Sequence, residues 1–148
     1  MREEPNPARQ SLSTYPMTFR HRILYSDMDG FRHLNNGATG RYFEEGRSEL
    51  NMRVFGEGCM TDPPEGLQIL FASLKIDFLA QAYYPGTVEI ASAVSRVGNS
   101  SWNIVQAAFQ NSKCFATADA VMVKARNGKS EKLSDEEKQI LLKYHTVN

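Results

Sequence analysis

The sequence predicts an α+β fold: a single domain in which an antiparallel five-stranded sheet curls around one long central helix, with a short helix near the C-terminus. Three observations predict it. Phe43, Gly46, Leu50 and Val54 recur at steps of three or four, the mark of a helix with one buried stripe. Between residues 67 and 125, four strand-length segments follow one another with short turns between them. After Ser134 a short capped apolar segment follows. Four hairpin-linked strands need cover on their inner face, and only one long helix is available to give it. The 148 residues fit one domain. A domain of this size buries roughly 70% of the surface of its unfolded chain, so one ordinary core suffices.

Residues 1–16 carry three prolines and many polar residues and read as a flexible N-terminal arm, with the folded domain spanning residues 17–148. Thr18 to Tyr25 alternates Phe19, His21, Ile23 and Tyr25 against Arg20, Arg22 and Leu24, a half-buried strand. The long helix starts at Asn35 or Asn36, because an asparagine oxygen accepts from the unpaired first-turn N–H groups. Gly46 in mid-stripe costs about 1 kcal/mol of helix propensity, so its expected purpose is close approach of the helix to the sheet. Gly56 and Gly58 end the helix and Cys59 to Gly66 is a loop. Leu67 to Phe78 then places Leu70, Ala72, Leu74, Ile76 and Phe78 on one face. Tyr84-Pro85-Gly86 is a turn, Thr87 to Val97 a strand, and Gly98-Asn99 the next turn. Ser101 to Asn111 and Cys114 to Ala125 complete the sheet, and Asn127-Gly128 breaks the pattern. Ser134 and Glu137 form a capping box ahead of Ile140, Leu141 and Leu142.

Composition narrows the function. Seventeen basic residues balance seventeen acidic ones, and no Lys/Arg run points to nucleic acid or an anionic membrane as partner. No apolar stretch approaches the ~20 residues that span a bilayer. Glu3 and Glu4 argue against a secretory or transit signal, and Cys59 and Cys114 lack metal or disulfide spacing. The expectation is a cytoplasmic protein with two reduced thiols. Three histidines, His21, His33 and His145, make no metal site, and there is no Gly-x-Ser-x-Gly elbow, His-Glu-x-x-His pair or phosphate loop.

Chemistry concentrates between Tyr25 and Arg47, YSDMDGFRHLNNGATGRYFEEGR. Asp27 and Asp29 end a strand-like segment and are expected to point their side chains to opposite sides. A compact loop with His33 follows, and Asn35 and Asn36 stand at the helix start. A carboxylate beside exposed helix N–H groups is suited to hold a general base and a polarised carbonyl together. Turn aspartates also cap backbone amides, and asparagines cap helices, so each residue has a purely structural reading too.

This stretch resembles the signature of hotdog-fold thioesterases, in particular the 4-hydroxybenzoyl-CoA thioesterase-like group, D-x-D-x-x-G-H-V-N-N-x-x-Y-x-x-Y-F-E-x-A-R. Asp27, Asp29, His33, Leu34, Asn35, Asn36, Tyr42, Phe43, Glu44 and Arg47 stand at matching places. Lys75 to Leu79, Pro85 to Glu89 and Gly98 to Trp102 are similar to later family segments, so the likeness spans residues 17–143. It implies hydrolysis of an acyl thioester with Asp29 as general base or nucleophile. The backbone N–H of Asn36 would polarise the carbonyl. Arg32, His33, Asn35, Thr39, Asn99, Ser100 and Ser101 would contact substrate. The resemblance implies no metal and no cofactor, coenzyme A being part of the substrate. It also implies sites at the interfaces of a homodimer or homotetramer.

Several positions depart from the pattern. Arg32 replaces a small glycine, Thr39 and Gly40 replace an aromatic and an aliphatic residue, and Asn99, Ser100 and Ser101 replace basic residues that meet coenzyme phosphates in some relatives. Arg32 is expected to narrow the pocket, to act on Asp29, or to pair with an anionic acyl group. Three functions remain open on this reading: an acyl-CoA thioesterase, a hydrolase of acyl carrier protein thioesters, and a hotdog that binds acyl thioesters without cleaving them.

Overall fold

The computed structural model describes residues 5–146. Its elements are β1 (Met17–Arg22), α1 (Asn36–Phe55), β2 (Leu67–Phe78), β3 (Thr87–Val97), β4 (Ser101–Gln110), β5 (Lys113–Arg126), the two-residue β6 (Lys129–Ser130) and α2 (Asp135–Lys143). The sheet order is β1-β3-β4-β5-β2 with antiparallel pairing throughout, and β6 adds to β5. β1 and β2 are therefore opposite edges, and the chain between them must cross the whole sheet. α1 is that crossing, twenty residues and about 30 Å long.

Gly46 explains how α1 lies so close. A Cβ there would meet Gln106 Nε2 and Ile90 Cγ2 at 2.9 Å each. The Gln106 amide donates to the Phe43 carbonyl and the Ser92 hydroxyl, both at 3.0 Å, and accepts from Arg47 Nη1 at 3.2 Å. This polar clamp ties mid-helix to mid-sheet, and Phe43 and Leu50 are fully buried on either side of it. Gly56, at φ 93°, ends the helix as expected. Ser134 and Glu137 form the anticipated capping box, and α2 closes one end of the core through Leu141, in a cluster with Trp102, Leu50 and Val54.

Two expectations need correction. β2 does not keep one inward face: a bulge between Phe71 and Ser73 switches the parity of the strand. Before the bulge Ile69 is half-buried; after it Ile76 and Phe78 pack on the core, while Leu70, Phe71, Ala72 and Leu74 stay exposed. The first strand stops at Arg22, so Tyr25 enters a 3-10 turn (Tyr25–Asp27) and is 78% exposed. The arm is laid against the sheet from Asn6 onward, its first four residues lying outside the described part. Arg9 Nη1 grips both carboxylate oxygens of Asp119 at 2.9 and 3.0 Å, and Nη2 donates to the Ala118 carbonyl at 2.9 Å. The Tyr15 hydroxyl in turn donates to the Arg9 carbonyl at 2.7 Å. Composition hid this, because one bidentate arginine outweighs a polar, proline-rich surrounding.

Candidate active site

Beyond β1, the 3-10 turn leads to Met28, which bridges Leu34 and closes the loop 29–33. The loop is pinned from both sides. Asp29 N–H donates to the His33 carbonyl at 2.8 Å, and Asp29 Oδ1 accepts from the N–H groups of Phe31 (2.8 Å) and His33 (3.1 Å). The other oxygen, Oδ2, has no hydrogen-bond partner among the described residues. Closing so short a loop puts Arg32 in the left-handed region, φ 64°, where glycine is the comfortable residue.

Asp27 has the opposite environment. It is buried and accepts from the Tyr42 hydroxyl, from Arg41 Nη2 at 2.9 Å and from Leu24 N–H at 3.2 Å. Burial alone would raise its pKa, but the Tyr42 hydroxyl, the Leu24 amide and the Arg41 guanidinium outweigh burial and hold it below the ordinary carboxylate value. The Tyr42 phenol is pushed up, by burial first and then by Asp27, and its ring stacks on His21 at 4.3 Å. The acid turned toward the helix is thus Asp27, not Asp29. An unbroken strand would put residues two apart on the same side; the 3-10 turn that ends at Asp27 breaks the strand, and Asp29 turns into its own loop instead.

At the helix start, Asn35 is the N-cap. Its Oδ1 accepts from Gly37 N–H at 2.7 Å and its carbonyl from Thr39 N–H at 3.1 Å. Asn36, the first helical residue, has its N–H outside the helical ladder and its side chain in solvent.

A cleft of about 370 Å³ opens on this loop, lined by Tyr25, Met28, Asp29, Arg32 and Tyr84. Tyr25 and Tyr84 meet edge to face at 5.6 Å and make its wall. Of the expected site residues the structure brings Asp29 and Arg32 together here. His33 lies edge-on to Tyr83 at 5.7 Å, and Thr39 is buried under the helix start with its hydroxyl 3.4 Å from the Asn35 carbonyl. Asn99, Ser100 and Ser101 sit at the far end of β3, roughly 33 Å of strand away from the loop. There the Asn99 and Ser100 carbonyls accept from Leu133 and Lys124 N–H. Within one chain they are far from the cleft that Asp29 lines. Tyr25, Met28 and Tyr84 were missed as cleft residues. The available signal was Tyr83-Tyr84 beside Pro85-Gly86, two large aromatics in a turn with no strand to bury them.

The thioesterase superfamily matches residues 31–113, more than half of the chain, beginning two residues after Asp29. The uncharacterized protein YsmA of Bacillus subtilis is 32% identical over 127 residues, covering 81% of each chain. Among solved structures, a predicted thioesterase from Bacillus stearothermophilus superposes with a TM-score of 0.77 at 25% identity, over 87% of this chain and 97% of that one. A Thermus thermophilus thioesterase, solved with coenzyme A and zinc, gives 0.77 at 19% identity over 86% and 98%. The curled sheet around one long helix is the hotdog fold that these proteins share.

Proposed function

This chain belongs to the thioesterase superfamily, and from that premise we propose that it hydrolyses an acyl-CoA to the free acid and coenzyme A. The observation that carries the reading is the half-satisfied carboxylate of Asp29. One oxygen is fixed by two backbone N–H groups, while the other has no partner among the described residues and the residue lines an open cleft. A carboxylate oriented in this way either takes a proton from water as it attacks the thioester carbon or attacks that carbon itself. In the first case the tetrahedral intermediate expels the thiolate, which is then protonated. In the second an acyl–carboxylate anhydride forms as the C–S bond breaks, and water cleaves it to regenerate Asp29. In both cases negative charge collects on the carbonyl oxygen. The Asn36 N–H, at the positive end of α1, is one of the first-turn donors left over once Asn35 has taken Gly37 and Thr39, the Ala38 N–H being the other. The reaction consumes only water.

A second copy is part of this reading. β2 is an edge strand that exposes Leu70, Phe71 and Leu74 at 41, 49 and 40%, a surface that edge pairing would cover. A homo-oligomer would also bring the Asn99–Ser101 turn of one chain to the cleft of another. Coenzyme A is favoured over an acyl carrier protein because the Thermus thermophilus thioesterase of like fold was solved with coenzyme A, and because two of the arginines that could meet an acidic carrier are engaged, Arg41 with Asp27 and Arg20 with Glu89 at 3.7 Å. An acidic carrier needs a free basic patch.

The test incubates the protein and an Asp29→Asn variant with aliphatic, branched and aromatic acyl-CoAs and a thiol-trapping dye. The variant is expected to release coenzyme A at least ~100-fold more slowly. Negligible release from both proteins, with measurable ligand binding, would replace hydrolysis by acyl-thioester binding alone.

A further inference from the structure

Arg32 is the one residue of the cleft with no evident structural reason to be there. It occupies a left-handed backbone position that a long side chain disfavours and glycine does not. Its guanidinium forms no ion pair or hydrogen bond among the described residues, including with Asp29 three positions earlier. It nevertheless lines the same cleft as Asp29, between a wall of Tyr25 and Tyr84 and the apolar side chain of Met28. A cation without a partner among the described residues, beside a carboxylate placed for chemistry, is complementary to an anionic oxygen group on the ligand. The planar guanidinium suits a carboxylate or phosphate bidentately.

We propose that Arg32 is a specificity-determining residue that receives a carboxylate carried by the acyl group, so that the preferred substrates are monothioesters of short dicarboxylic acids. This rests on the thioester reading of the same cleft. The alternative source of an anion, the coenzyme's phosphates, lies a full pantetheine arm from the thioester. Arg32 and Asp29 line one cleft of about 370 Å³, which places the cation near the acyl group instead. The aromatic and Met28 walls would hold the methylenes between the two ends.

Equilibrium binding of non-hydrolysable analogues tests this whether or not the protein turns over. In these probes an S–CH₂–C(=O) linkage replaces the thioester. The chain ends either in a carboxylate or in its methyl ester, and each version is built both on pantetheine and on coenzyme A. The parent is expected to bind the carboxylate roughly tenfold or more tighter than the ester on both carriers, and Arg32→Gly is expected to abolish that preference. Glycine suits the left-handed position, so the variant should fold, which circular dichroism checks. A parent with no carboxylate preference, or a preference that survives Arg32→Gly, overturns the proposal. So does a loss seen only on coenzyme A whatever the chain end, which assigns Arg32 to a phosphate. Hydrolysis of acyl-CoA is assayed separately. An intact carboxylate preference without turnover would sink the thioesterase reading and leave Arg32 as the selector of a binding protein.

Discussion

Asp27 and Asp29 stand two residues apart on one short segment and have the same chemistry, yet their surroundings are inverted. Asp27 is buried, with three donors converging on it from α1 and the preceding turn. Asp29 is half-exposed, has one oxygen tied to its own loop and the other unpartnered among the described residues, and lines a cleft. The difference teaches what each is for. A carboxylate surrounded by donors has its negative charge fully compensated and is a poor base or nucleophile; it ties the loop to the helix. One with a free oxygen and a fixed orientation has the geometry that the proposed hydrolysis asks of its base or nucleophile. Asp27 therefore holds the frame in which Asp29 is presented.

The same substitution at both positions gives the widest separation. Asp27→Asn removes the charge that Tyr42 and Arg41 address. Arg41 is 63% exposed and its share is screened by water, so the expected loss is about 2 kcal/mol in a denaturant titration. That corresponds to a fall in Tm of roughly 5 °C. Asp29→Asn keeps an acceptor oxygen for Phe31 and His33 and should stay within ~0.5 kcal/mol of the parent. Equal losses at the two sites would erase the distinction. A smaller effect comes from Tyr42→Phe, which deletes one of the three donors to Asp27 and should cost about 1 kcal/mol. The finest contrast is in acid. Asp27 has a folded pKa below its ordinary value, so its contribution is complete above the normal carboxylate range and fades as pH falls through the folded value. Melting curves from neutral pH down to about pH 3 should show Asp27→Asn approaching the parent as pH drops. A constant gap between the two would mean that the Asp27 charge contributes nothing.

Much of this was legible beforehand, and the reasons are specific. Gly46 announced a close helix–sheet contact because a glycine inside an apolar stripe has few other uses, and Gln106 and Ile90 occupy the space its Cβ would fill. Ser134 and Glu137 announced α2 because a capping box is a local hydrogen-bond exchange that needs no distant partner. The strands Leu67–Phe78 and Thr87–Val97 fall where alternation and turn residues put them. Other features had no such local mark. The bulge in β2 is set by its pairing with β5, and it moved the inward face by one residue. Arg9 found Asp119 across 110 positions, which no composition window detects.

From the sequence alone come the helix and its caps, the strands, the hairpin order and the pair of acids ahead of the helix, because each is encoded in contacts spanning a few residues. Only the folded chain decided which acid is enclosed and which is open, that Tyr25 and Tyr84 wall the cleft, and that Arg32 stands beside it without a partner among the described residues. Those outcomes depend on where strand β1 stops and on which surfaces the crossing of α1 brings together, and such long-range closure leaves no periodicity to read.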